Sequence, residues 1–592
     1  MNTENKNASK NKGGEVFGKL LNYIKPMWGI LLAVVILSFL GSMCNVIIPT
    51  FTKNIVNETQ VGITEGFNLE AILKNIFFTL VTLGAAFLCN MVQAFISPLL
   101  AQKTAYRLRE DTNAKVNRIP LNYFDTTAEG DTLSTMTNDI DTVSTSFSST
   151  LPTMITAVAT LIGCIVLMFV TSPVLAVTTI VASFLGLMIS SRVLSGGSKY
   201  FKDNQNLLGR LNGIINEDIK GHLIIKSFNA ETDVLDEFKE TNKALFESTR
   251  KTQLVTFLMV PLSAFSSNLS YILVCIVGAI LVFGGKTQIG TIIAFIQYAQ
   301  IFATPVSTIT QSAGTIQPAL AAGERIFTLL EKEEMSDSGR EVVERKNVKG
   351  HVEFSHVKFG YNPENIILHD FSYEVLPGQK IAIVGPTGSG KSTLINLLTR
   401  FYEVNGGDIR IDGKSIYDMP RESLHSIISM VLQETWTFKG SIRDNILYSN
   451  AEVSDERLHA IIRDCGLEDF VEKSADKLDT VISEDADVSG GQKQLITIAR
   501  AMVDDAPILV LDEATSSVDT RTEKLISEAL DKLTKNRTSF VIAHRLSTIK
   551  NADAILVLKD GDIIEIGTHD ELMAQKGFYK ELYMSQFSNK QI

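Results

Sequence analysis

A glycine-rich run between a predicted strand and a predicted helix is the part of the chain most suited to chemistry. Its residues are Gly385, Pro386, Thr387, Gly388, Ser389, Gly390, Lys391, Ser392 and Thr393. Compact apolar residues at Lys380–Val384 predict the strand before it, and Ser392–Arg400 has the pattern of a helix. The glycines allow backbone N–H groups to turn inward around a phosphate, at a helix N-terminus that favours anions. Lys391 can contact the β- and γ-phosphates, and the Ser392 hydroxyl can bind Mg²⁺. The run therefore predicts a nucleoside triphosphate site.

Two adjacent carboxylates follow a second apolar strand, which is predicted at Ile508–Leu511. Asp512 at the end of the strand suits Mg²⁺ binding, and Glu513 suits a general base for the attacking water. The alternative is that both carboxylates only cap a helix. Beside a complete phosphate loop, catalysis is the interpretation we favour.

A second anion-binding device lies between the phosphate loop and Asp512, in the run Ser489, Gly490, Gly491 and Gln492. A serine followed by glycines is typical of a helix N-terminus, where free N–H groups attract anions. Within one domain this device would duplicate the phosphate loop. Across an interface it would complete the nucleotide site of another chain. The two motifs together therefore predict that two such domains act as a pair.

Long apolar runs dominate the first half of the chain, which has 592 residues in all. A membrane-spanning helix needs about 20 mainly apolar residues. Six stretches without Asp, Glu, Lys, Arg or His meet that requirement: Met27–Pro49, Ile76–Ile96, Leu151–Val170, Val174–Ser191, Leu254–Phe283 and Ile289–Gln311. The alternative, buried helices of a soluble protein, does not explain their number or their lack of charge. The second half alternates short strands and helices, as an α/β domain does.

The distribution of Lys and Arg predicts how these spans are oriented. Basic residues concentrate in the N-terminus and in the loops after spans two and four, whereas only Lys286 lies between spans five and six. The N-terminus, both long loops and the C-terminal half are therefore expected to be cytoplasmic. Helical periodicity in Leu208–Phe228 and Asp233–Lys251 predicts that spans two to five continue into the cytoplasm as long helices. Their turns are expected near Tyr123–Asp125 and Phe228–Glu231, with solvated loops as the alternative.

Charge and cysteine content exclude other classes. The formal net charge of −11 and the isoelectric point near 5.4 argue against nucleic-acid binding. The five cysteines have neither a disulfide pattern nor metal-ligand spacing, and no signal peptide is expected.

Taken together, these motifs resemble those of an ABC transporter, specifically an exporter-type half-transporter. The resemblance implies an all-α polytopic membrane domain, with six transmembrane helices extended into the cytoplasm, followed by an α/β P-loop NTPase domain. It divides the chain into a cytoplasmic N-terminal segment (1–26), the transmembrane domain (27–315), a linker (316–350), the nucleotide-binding domain (351–585) and a C-terminal tail (586–592).

The resemblance also implies roles for further residues. Tyr361 in Phe359–Tyr361 resembles the aromatic residue that stacks on adenine, and Gln433 resembles the glutamine that contacts Mg²⁺ and senses the transmembrane domain. Ser489–Gln492 resembles the signature motif, which meets the γ-phosphate bound on the opposing subunit. Asp519 ends a run that resembles the D-loop. His544 resembles the switch histidine, although a lone histidine after an apolar strand is otherwise a core residue. The implied catalytic residues are Glu513, His544, Lys391 and Gln433, and the implied Mg²⁺ ligands are Ser392, Gln433 and Asp512.

One stretch departs from the family pattern. Thr480–Ala486 lacks two glycines that usually precede the signature, Val488 stands where Leu is usual, and Lys493 where Arg is common. Similar replacements occur in subunits of heterodimeric bacterial exporters.

The resemblance implies an ATP-driven exporter of the cell membrane that pairs with a second half-transporter, either a copy of itself or a paralogue. Because the spans are uncharged, the expected cargo is a hydrophobic or amphipathic drug, lipid or peptide. An ATP-gated channel or a regulatory ABC subunit is the alternative, whereas a soluble ABC protein is excluded by the six spans. Phe295, Tyr298 and Phe302 recur at helical spacing on span six, where either cargo binding or helix packing explains them.

Overall fold

The computed structural model describes residues 4–337, 339–362, 364–433, 435–448, 453–483, 488–512, 519–542 and 549–587. The chain divides into two compact units. The first consists of Met1–Asn117 and Glu129–Lys332, and the second of Arg118–Ala128 and Glu333–Ile592. The short segment Arg118–Ala128 therefore belongs with the C-terminal half of the chain, although it lies between two helices of the first unit.

The helices, in chain order, are α1 (Glu4–Ile24), α2 (Trp28–Glu65), α3 (Leu69–Val116), α4 (Asn122–Thr126), α5 (Glu129–Ser134), α6 (Ile140–Thr145), α7 (Leu151–Thr171), α8 (Pro173–Lys220), α9 (His222–Phe228), α10 (Glu231–Phe283), α11 (Ile289–Leu330), α12 (Lys391–Leu398), α13 (Arg421–Ile427), α14 (Ile442–Leu447), α15 (Asp455–Asp464), α16 (Glu468–Lys473), α17 (Gly490–Asp504), α18 (Thr520–Thr534), α19 (His569–Gln575) and α20 (Phe578–Phe587). The strands are β1 (Val352–Phe359), β2 (Leu368–Val375), β3 (Lys380–Val384), β4 (Gly406–Ile411), β5 (Lys414–Ser415), β6 (Ile428–Val431), β7 (Gly440–Ser441), β8 (Val481–Ile482), β9 (Ile508–Asp512), β10 (Thr538–Ile542), β11 (Ala554–Lys559) and β12 (Asp562–Gly567).

The helical character of the predicted spans is confirmed, because apart from Met27 each lies within one helix of the first unit: α2, α3, α7, α8, α10 or α11. By length and composition, four stretches of the described residues can cross a membrane: Gly14–Glu65, Leu69–Val116, Glu129–Thr171 and Ile289–Leu330. The described residues of α8 and α10 contain shorter apolar stretches of 10–17 residues, at Pro173–Gly186 and Ser267–Phe283.

The first span is predicted at Met27–Pro49, and the helix that contains it, α2, continues through the buried Pro49 to Glu65. A proline interrupts a helix less in an apolar bundle, because neighbouring helices and side chains stabilise the freed backbone groups.

The two long loops are predicted to turn near Tyr123–Asp125 and Phe228–Glu231. The second turn is confirmed, because α9 ends at Phe228, Asn229 adopts the left-handed conformation at φ 54° and α10 begins at Glu231. Near the first, the chain forms the short helix α4.

The aromatic residues of span six lie in the packed interior of the first unit. Phe295, Tyr298 and Phe302 are all buried, and they pack with apolar residues of α2, α7, α8 and α10. The Tyr298 hydroxyl is 2.9 Å from Thr50 Oγ1, so its polar end has a partner inside the bundle. Of the two explanations left open by the sequence, this geometry favours helix packing.

Two π-helical turns interrupt the helix that contains span three, at Thr135–Asp139 and Ser146–Thr150. The first turn places the carboxylate of Asp139 against Arg325 of α11, which donates two hydrogen bonds of 2.7 and 2.5 Å. The Asp139 side chain is 8% exposed and that of Arg325 is 58% exposed. The buried carboxylate of Asp139 therefore needs this ion pair for its stabilisation, whereas water can still solvate the guanidinium of Arg325.

The second unit is built around a six-stranded sheet with the order β12-β11-β3-β10-β9-β6. Strands β11, β3, β10, β9 and β6 are parallel, and β12 pairs antiparallel at the edge. The parallel strands are nearly continuous apolar runs because both faces of the sheet are covered. A second sheet, β2-β1-β4-β5, is antiparallel. One core lies between the two sheets and α12, and another lies under α14 to α18.

The linker to the second unit is held by a buried arginine. Helix α11 continues to Leu330, so the first part of the stretch predicted as linker (316–350) is helical. Arg400 is 2% exposed and donates to the carbonyl oxygens of Met419 at 2.9 Å and Ser336 at 3.3 Å. The guanidinium therefore joins the linker at Ser336 to the interior of the second unit.

The Asp139–Arg325 pair predicts an asymmetric loss of stability. Replacing Arg325→Ala leaves a buried carboxylate without its partner and should lower the free energy of unfolding by about 2 kcal/mol. Replacing Asp139→Asn leaves a solvated guanidinium and should cost about 1 kcal/mol. The matched control is Arg109→Ala, which breaks an exposed pair with Asp141 and should change stability by less than about 0.5 kcal/mol. Denaturant unfolding of the detergent-solubilised protein would measure all three, and equal losses for Arg325→Ala and Arg109→Ala would contradict the assignment.

Candidate nucleotide site

Four parallel strands bring the predicted site residues to one edge of the sheet. Ile542 of β10 pairs with Ile383 of β3 on one side and with Asp512 of β9 on the other. Val431 of β6 pairs in turn with Leu511 of β9. The carboxyl ends of parallel strands form the usual ligand-binding edge of an open α/β sheet. The phosphate loop after β3, Asp512 at the end of β9 and Gln433 after β6 therefore share this edge.

The phosphate loop has the backbone geometry that its glycines predict. Gly388 and Gly390 have φ values of 85° and 97°, a region that side-chain-bearing residues rarely adopt. A Cβ on Gly385 would lie 2.2 Å from the carbonyl oxygen of Leu558, so this position also has no room for a side chain. Thr387 and Gly388 are exposed at the tip. Helix α12 then begins at Lys391, which directs its free N–H groups toward the loop.

Lys391 lies folded over the loop. Its Nζ donates to the carbonyl oxygens of Gly385 at 2.9 Å and Pro386 at 2.8 Å. Burial lowers the pKa of Lys391, and the negative charge of Asp512 opposes that shift. Ser389 Oγ is buried, and within the described residues it has no hydrogen-bond partner. A half-buried cation beside an unsatisfied hydroxyl and free N–H groups is an arrangement that an anion would stabilise.

The predicted metal-binding side chains offer oxygen atoms. Ser392 and Gln433 are exposed, Asp512 is partly buried, and Thr393, the next residue in the loop, is buried. A hydroxyl, a carboxylate and an amide oxygen are donors of the kind that Mg²⁺ prefers in nucleotide sites. The donor set at this edge therefore fits Mg²⁺.

The aromatic residue predicted for adenine lies in a small ring cluster. Tyr361 is 47% exposed, and its ring makes edge contacts with Phe359 at 5.1 Å and Tyr402 at 5.0 Å between centroids. Its hydroxyl is 3.4 Å from Thr393 Oγ1, within the phosphate loop and α12. Asn405 Oδ1 accepts from the N–H of Gly360 at 2.7 Å and so holds the backbone beside the ring. One face of Tyr361 can therefore receive a flat base near the phosphate loop.

The signature run begins helix α17 in the predicted way. Ser489 is the N-cap, its Oγ accepts from the N–H of Gln492, and the Gln492 side chain accepts from the N–H of Ser489. Gly490 is exposed, and nothing lies within 4 Å of a Cβ built on it. The capping bonds leave the N–H groups of Gly490 and Gly491 at the helix N-terminus, where they favour an anion.

Two predicted residues have structural partners of their own. Asp519 is the N-cap of α18, and its carboxylate accepts from Thr522 Oγ1 at 2.7 Å and from the backbone N–H groups of Arg521 and Thr522. The hydrogen bonds from Thr522 and Arg521 lower the pKa of this carboxylate. Gln492 is engaged with Ser489. Any contact of either side chain with a nucleotide remains a prediction.

Glu513 and His544 lie outside the described residues, as do residues 516–518 of the D-loop and 484–487 of the unusual stretch before the signature. The described residues that precede Glu513 and His544 lie at the ends of β9 and β10, at the edge of the sheet that carries the site. Glu513 follows Asp512 of β9, and His544 lies two positions after Ile542 of β10.

The structure adds residues that the sequence motifs did not indicate. Tyr402 and Asn405 support the aromatic loop from the turn after α12. Arg500 of α17 donates to the carbonyl oxygen of Asn445 at 2.9 Å and lies over the ring of Tyr448 at 5.0 Å. It thereby fixes the signature helix to the segment that follows Gln433. No local pattern marks these residues, because their roles depend on contacts between distant parts of the chain.

Comparison with known proteins defines the family. A family model described as the ABC transporter transmembrane region matches residues 31–306, and one described as ABC transporter matches residues 368–516. A fatty acid ABC transporter ATP-binding/permease protein of Mycobacterium bovis is 39% identical over 88% of this chain and 82% of its own length. An uncharacterized ABC transporter ATP-binding protein of Bacillus subtilis is 35% identical over 96% of this chain and 94% of its own length. A probable multidrug resistance ABC transporter ATP-binding/permease protein of Bacillus subtilis is 34% identical over 84% of this chain and 74% of its own length.

The chain belongs to the ABC transporter family. Because one transmembrane region is fused to one ATP-hydrolysing domain, it is a half-transporter of the exporter type.

The backbone geometry of Gly388 predicts that replacing this glycine by alanine weakens nucleotide binding. Gly388 and Gly413 have nearly the same φ, 85° and 82°, and a Cβ on either would have nothing within 4 Å. Alanine at either position should therefore cost about 1 kcal/mol of stability through backbone strain. Only Gly388→Ala changes the N–H groups of the phosphate loop, and it should weaken ATP binding about tenfold.

Titration with a fluorescent ATP analogue, combined with denaturant unfolding, would separate the two effects. Gly413→Ala should reproduce the stability loss and retain wild-type affinity. An equal loss of affinity in both variants would show that strain alone, rather than phosphate-loop geometry, controls binding.

Proposed function

We propose that this chain binds ATP and Mg²⁺ at the sheet edge and pairs with a second half-transporter to export a hydrophobic or amphipathic cargo. The observation that carries the proposal is the combination of a complete phosphate loop with an exposed anion-binding helix N-terminus at Gly490. One chain thus carries both parts of a nucleotide site, the phosphate loop and the helix N-terminus at Gly490, at separate positions.

In the proposed cycle, the phosphate loop and Lys391 bind the triphosphate from one side. Tyr361 stacks on adenine, and Ser392, Asp512 and Gln433 hold the metal. When bound by these residues, Mg²⁺ would supply positive charge that stabilises the triphosphate during hydrolysis. Glu513 accepts a proton from the water that attacks the γ-phosphorus, while the bond to the β-phosphate oxygen breaks and ADP leaves.

The signature of the partner chain completes the site. Ser489 and the N–H groups of Gly490 and Gly491 would meet the γ-phosphate from the open side, and His544 would contact it from the sheet edge. ATP then binds the paired state more tightly than the open state, and that difference in affinity drives closure. The partner is a copy of this chain or a paralogue with the same architecture.

Transport follows from coupling that closure to the membrane helices. The distribution of Lys and Arg supports a cytoplasmic location for the nucleotide domain in the cell membrane. The helices α3, α8 and α10 are 48, 48 and 53 residues long, more than a membrane crossing needs. Their excess length supports alternating access, in which long helices transmit closure to the spans.

The cargo class rests on the chemistry of the spans. The six spans lack ionisable side chains other than cysteine and tyrosine, so they offer apolar, aromatic and neutral polar groups. Related proteins are described as a fatty acid transporter and as a probable multidrug resistance transporter. Both names agree with a hydrophobic or amphipathic cargo, moved from the cytoplasm or the inner leaflet.

The general base provides the direct test of hydrolysis. Glu513→Gln should retain ATP binding but lower the rate of phosphate release by at least about 100-fold, because the amide cannot accept the proton of water. Glu528→Gln, an exposed glutamate on α18, is the matched control and should hydrolyse ATP normally.

Phosphate release by the purified protein in liposomes would be measured with and without candidate amphipaths. Undiminished hydrolysis by Glu513→Gln would refute the general-base assignment. Hydrolysis that no cargo stimulates, together with passive ion flow, would favour an ATP-gated channel instead.

A further inference from the structure

Tyr402 connects the aromatic site of the second unit with the segment Arg118–Ala128. Its hydroxyl donates to Asp125 Oδ2 in α4 at 2.6 Å. Its ring makes edge contacts with Tyr361 at 5.0 Å and Phe359 at 5.9 Å between centroids. One side chain therefore contacts both the ring proposed to stack on adenine and the helix between the second and third spans.

The bond to Asp125 is a short polar contact between this segment and the rest of the second unit. A phenol that donates to a carboxylate at this distance makes a charge-assisted hydrogen bond. Further contacts are a backbone bond from Met335 N–H to the carbonyl oxygen of Arg118 at 2.8 Å and an exposed ion pair of Arg118 with Glu334 at 3.9 Å. The exposed pair contributes little.

The hydroxyl of Tyr402 stays protonated at neutral pH. Burial raises the pKa of its hydroxyl, and the hydrogen bond to Asp125 and the charge of Asp125 raise it further. The phenol therefore remains a donor, and the strength of the bond depends on the position of the ring.

That position is coupled to Tyr361. Three mutually edge-packed rings at 5.0 to 5.9 Å leave little free volume, so displacement of one ring requires the others to adjust. A base stacked on the exposed face of Tyr361 would constrain that ring. The constraint would pass through the Tyr402 ring to the hydroxyl and so to Asp125.

We propose that Tyr402 is a positioning residue that couples occupancy of the adenine site to the segment Arg118–Ala128. The inference rests on the proposed function, in which Tyr361 stacks on the base. It assigns to the base, in addition to the phosphates, a part in signalling to the membrane helices. Because Arg118–Ala128 connects α3 to α5, the signal would enter the chain between the second and third spans.

Hydrogen–deuterium exchange of the full-length protein in nanodiscs tests this coupling. The ligands are a non-hydrolysable ATP analogue, which carries the base, and inorganic tripolyphosphate, which does not. In the wild type the analogue should slow exchange in residues 118–128 about fivefold, the equivalent of one hydrogen bond, whereas saturating tripolyphosphate should have no such effect. Both ligands should slow exchange in the phosphate loop, residues 385–392.

Tyr402→Phe removes only the hydroxyl. It should lose the fivefold response of residues 118–128 to the analogue while retaining the response of the phosphate loop. Asp125→Asn keeps an acceptor but loses its charge, so its response should be intermediate. The control is Tyr373→Phe, a half-buried tyrosine of β2 outside the ring cluster, which should respond like the wild type.

Three results would overturn the inference. If Tyr402 were only a structural anchor, residues 118–128 of the Tyr402→Phe variant would exchange faster both with and without the analogue. The ratio of the two exchange rates would then stay as it is in the wild type. An equal effect of tripolyphosphate in the wild type would remove the role of the base. If neither ligand protects residues 385–392 in the wild type, the proposed nucleotide site itself fails, and the inference fails with it.

Discussion

The parallel register of four strands is the constraint on which the nucleotide site depends. Because Ile542 pairs with both Ile383 and Asp512, β10 sets the positions of the two strands on either side of it. A shift of one residue in β9 would move Asp512 by about 3.3 Å and turn its side chain to the other face of the sheet. The charge of Asp512 would then no longer offset the effect of burial on Lys391. The buried apolar faces on both sides of the sheet prevent that shift, so packing holds the electrostatic geometry in place.

Helix α12 runs from this edge of the sheet toward two residues, Arg400 and Tyr402, that hold the linker and α4. The helix begins at Lys391, in the phosphate loop, and has eight residues, a length of about 12 Å. Just beyond its end lie Arg400, which holds the linker at Ser336, and Tyr402, which holds α4 through Asp125. One short helix therefore lies between the phosphate loop and these two residues. In the proposed cycle, a movement of the loop on nucleotide binding would pass through this rigid element to both.

Motifs with a fixed local geometry could be predicted from the sequence, and long-range pairs could not. The strand, glycine loop and helix around Lys391 and the capping of α17 by Ser489 follow from local backbone chemistry, and both agree with the structure. The six long helices follow from apolar length. The continuation of α2 past Pro49 depends instead on tertiary packing, which overrides the local preference of proline. The same applies to the burial of Tyr298, the pair of Asp139 with Arg325, and the bond of Tyr402 with Asp125, whose partners are distant in sequence. Glu513 was predicted from its place beside Asp512 at the end of a strand, whereas the role of His544 was identified by resemblance alone.

The central claim is that each ATP site needs the phosphate loop of one chain and the signature of another. Co-expression of two inactive variants, Lys391→Ala and Ser489→Arg, with different affinity tags tests this most directly. ATP hydrolysis is measured in complexes purified through both tags in succession. Two-fold pairing leaves one intact site in each mixed complex, so its activity should return to about half that of the wild type. A mixed complex that hydrolyses ATP no faster than either parent variant would contradict the account, because it would place both motifs in a site within one chain.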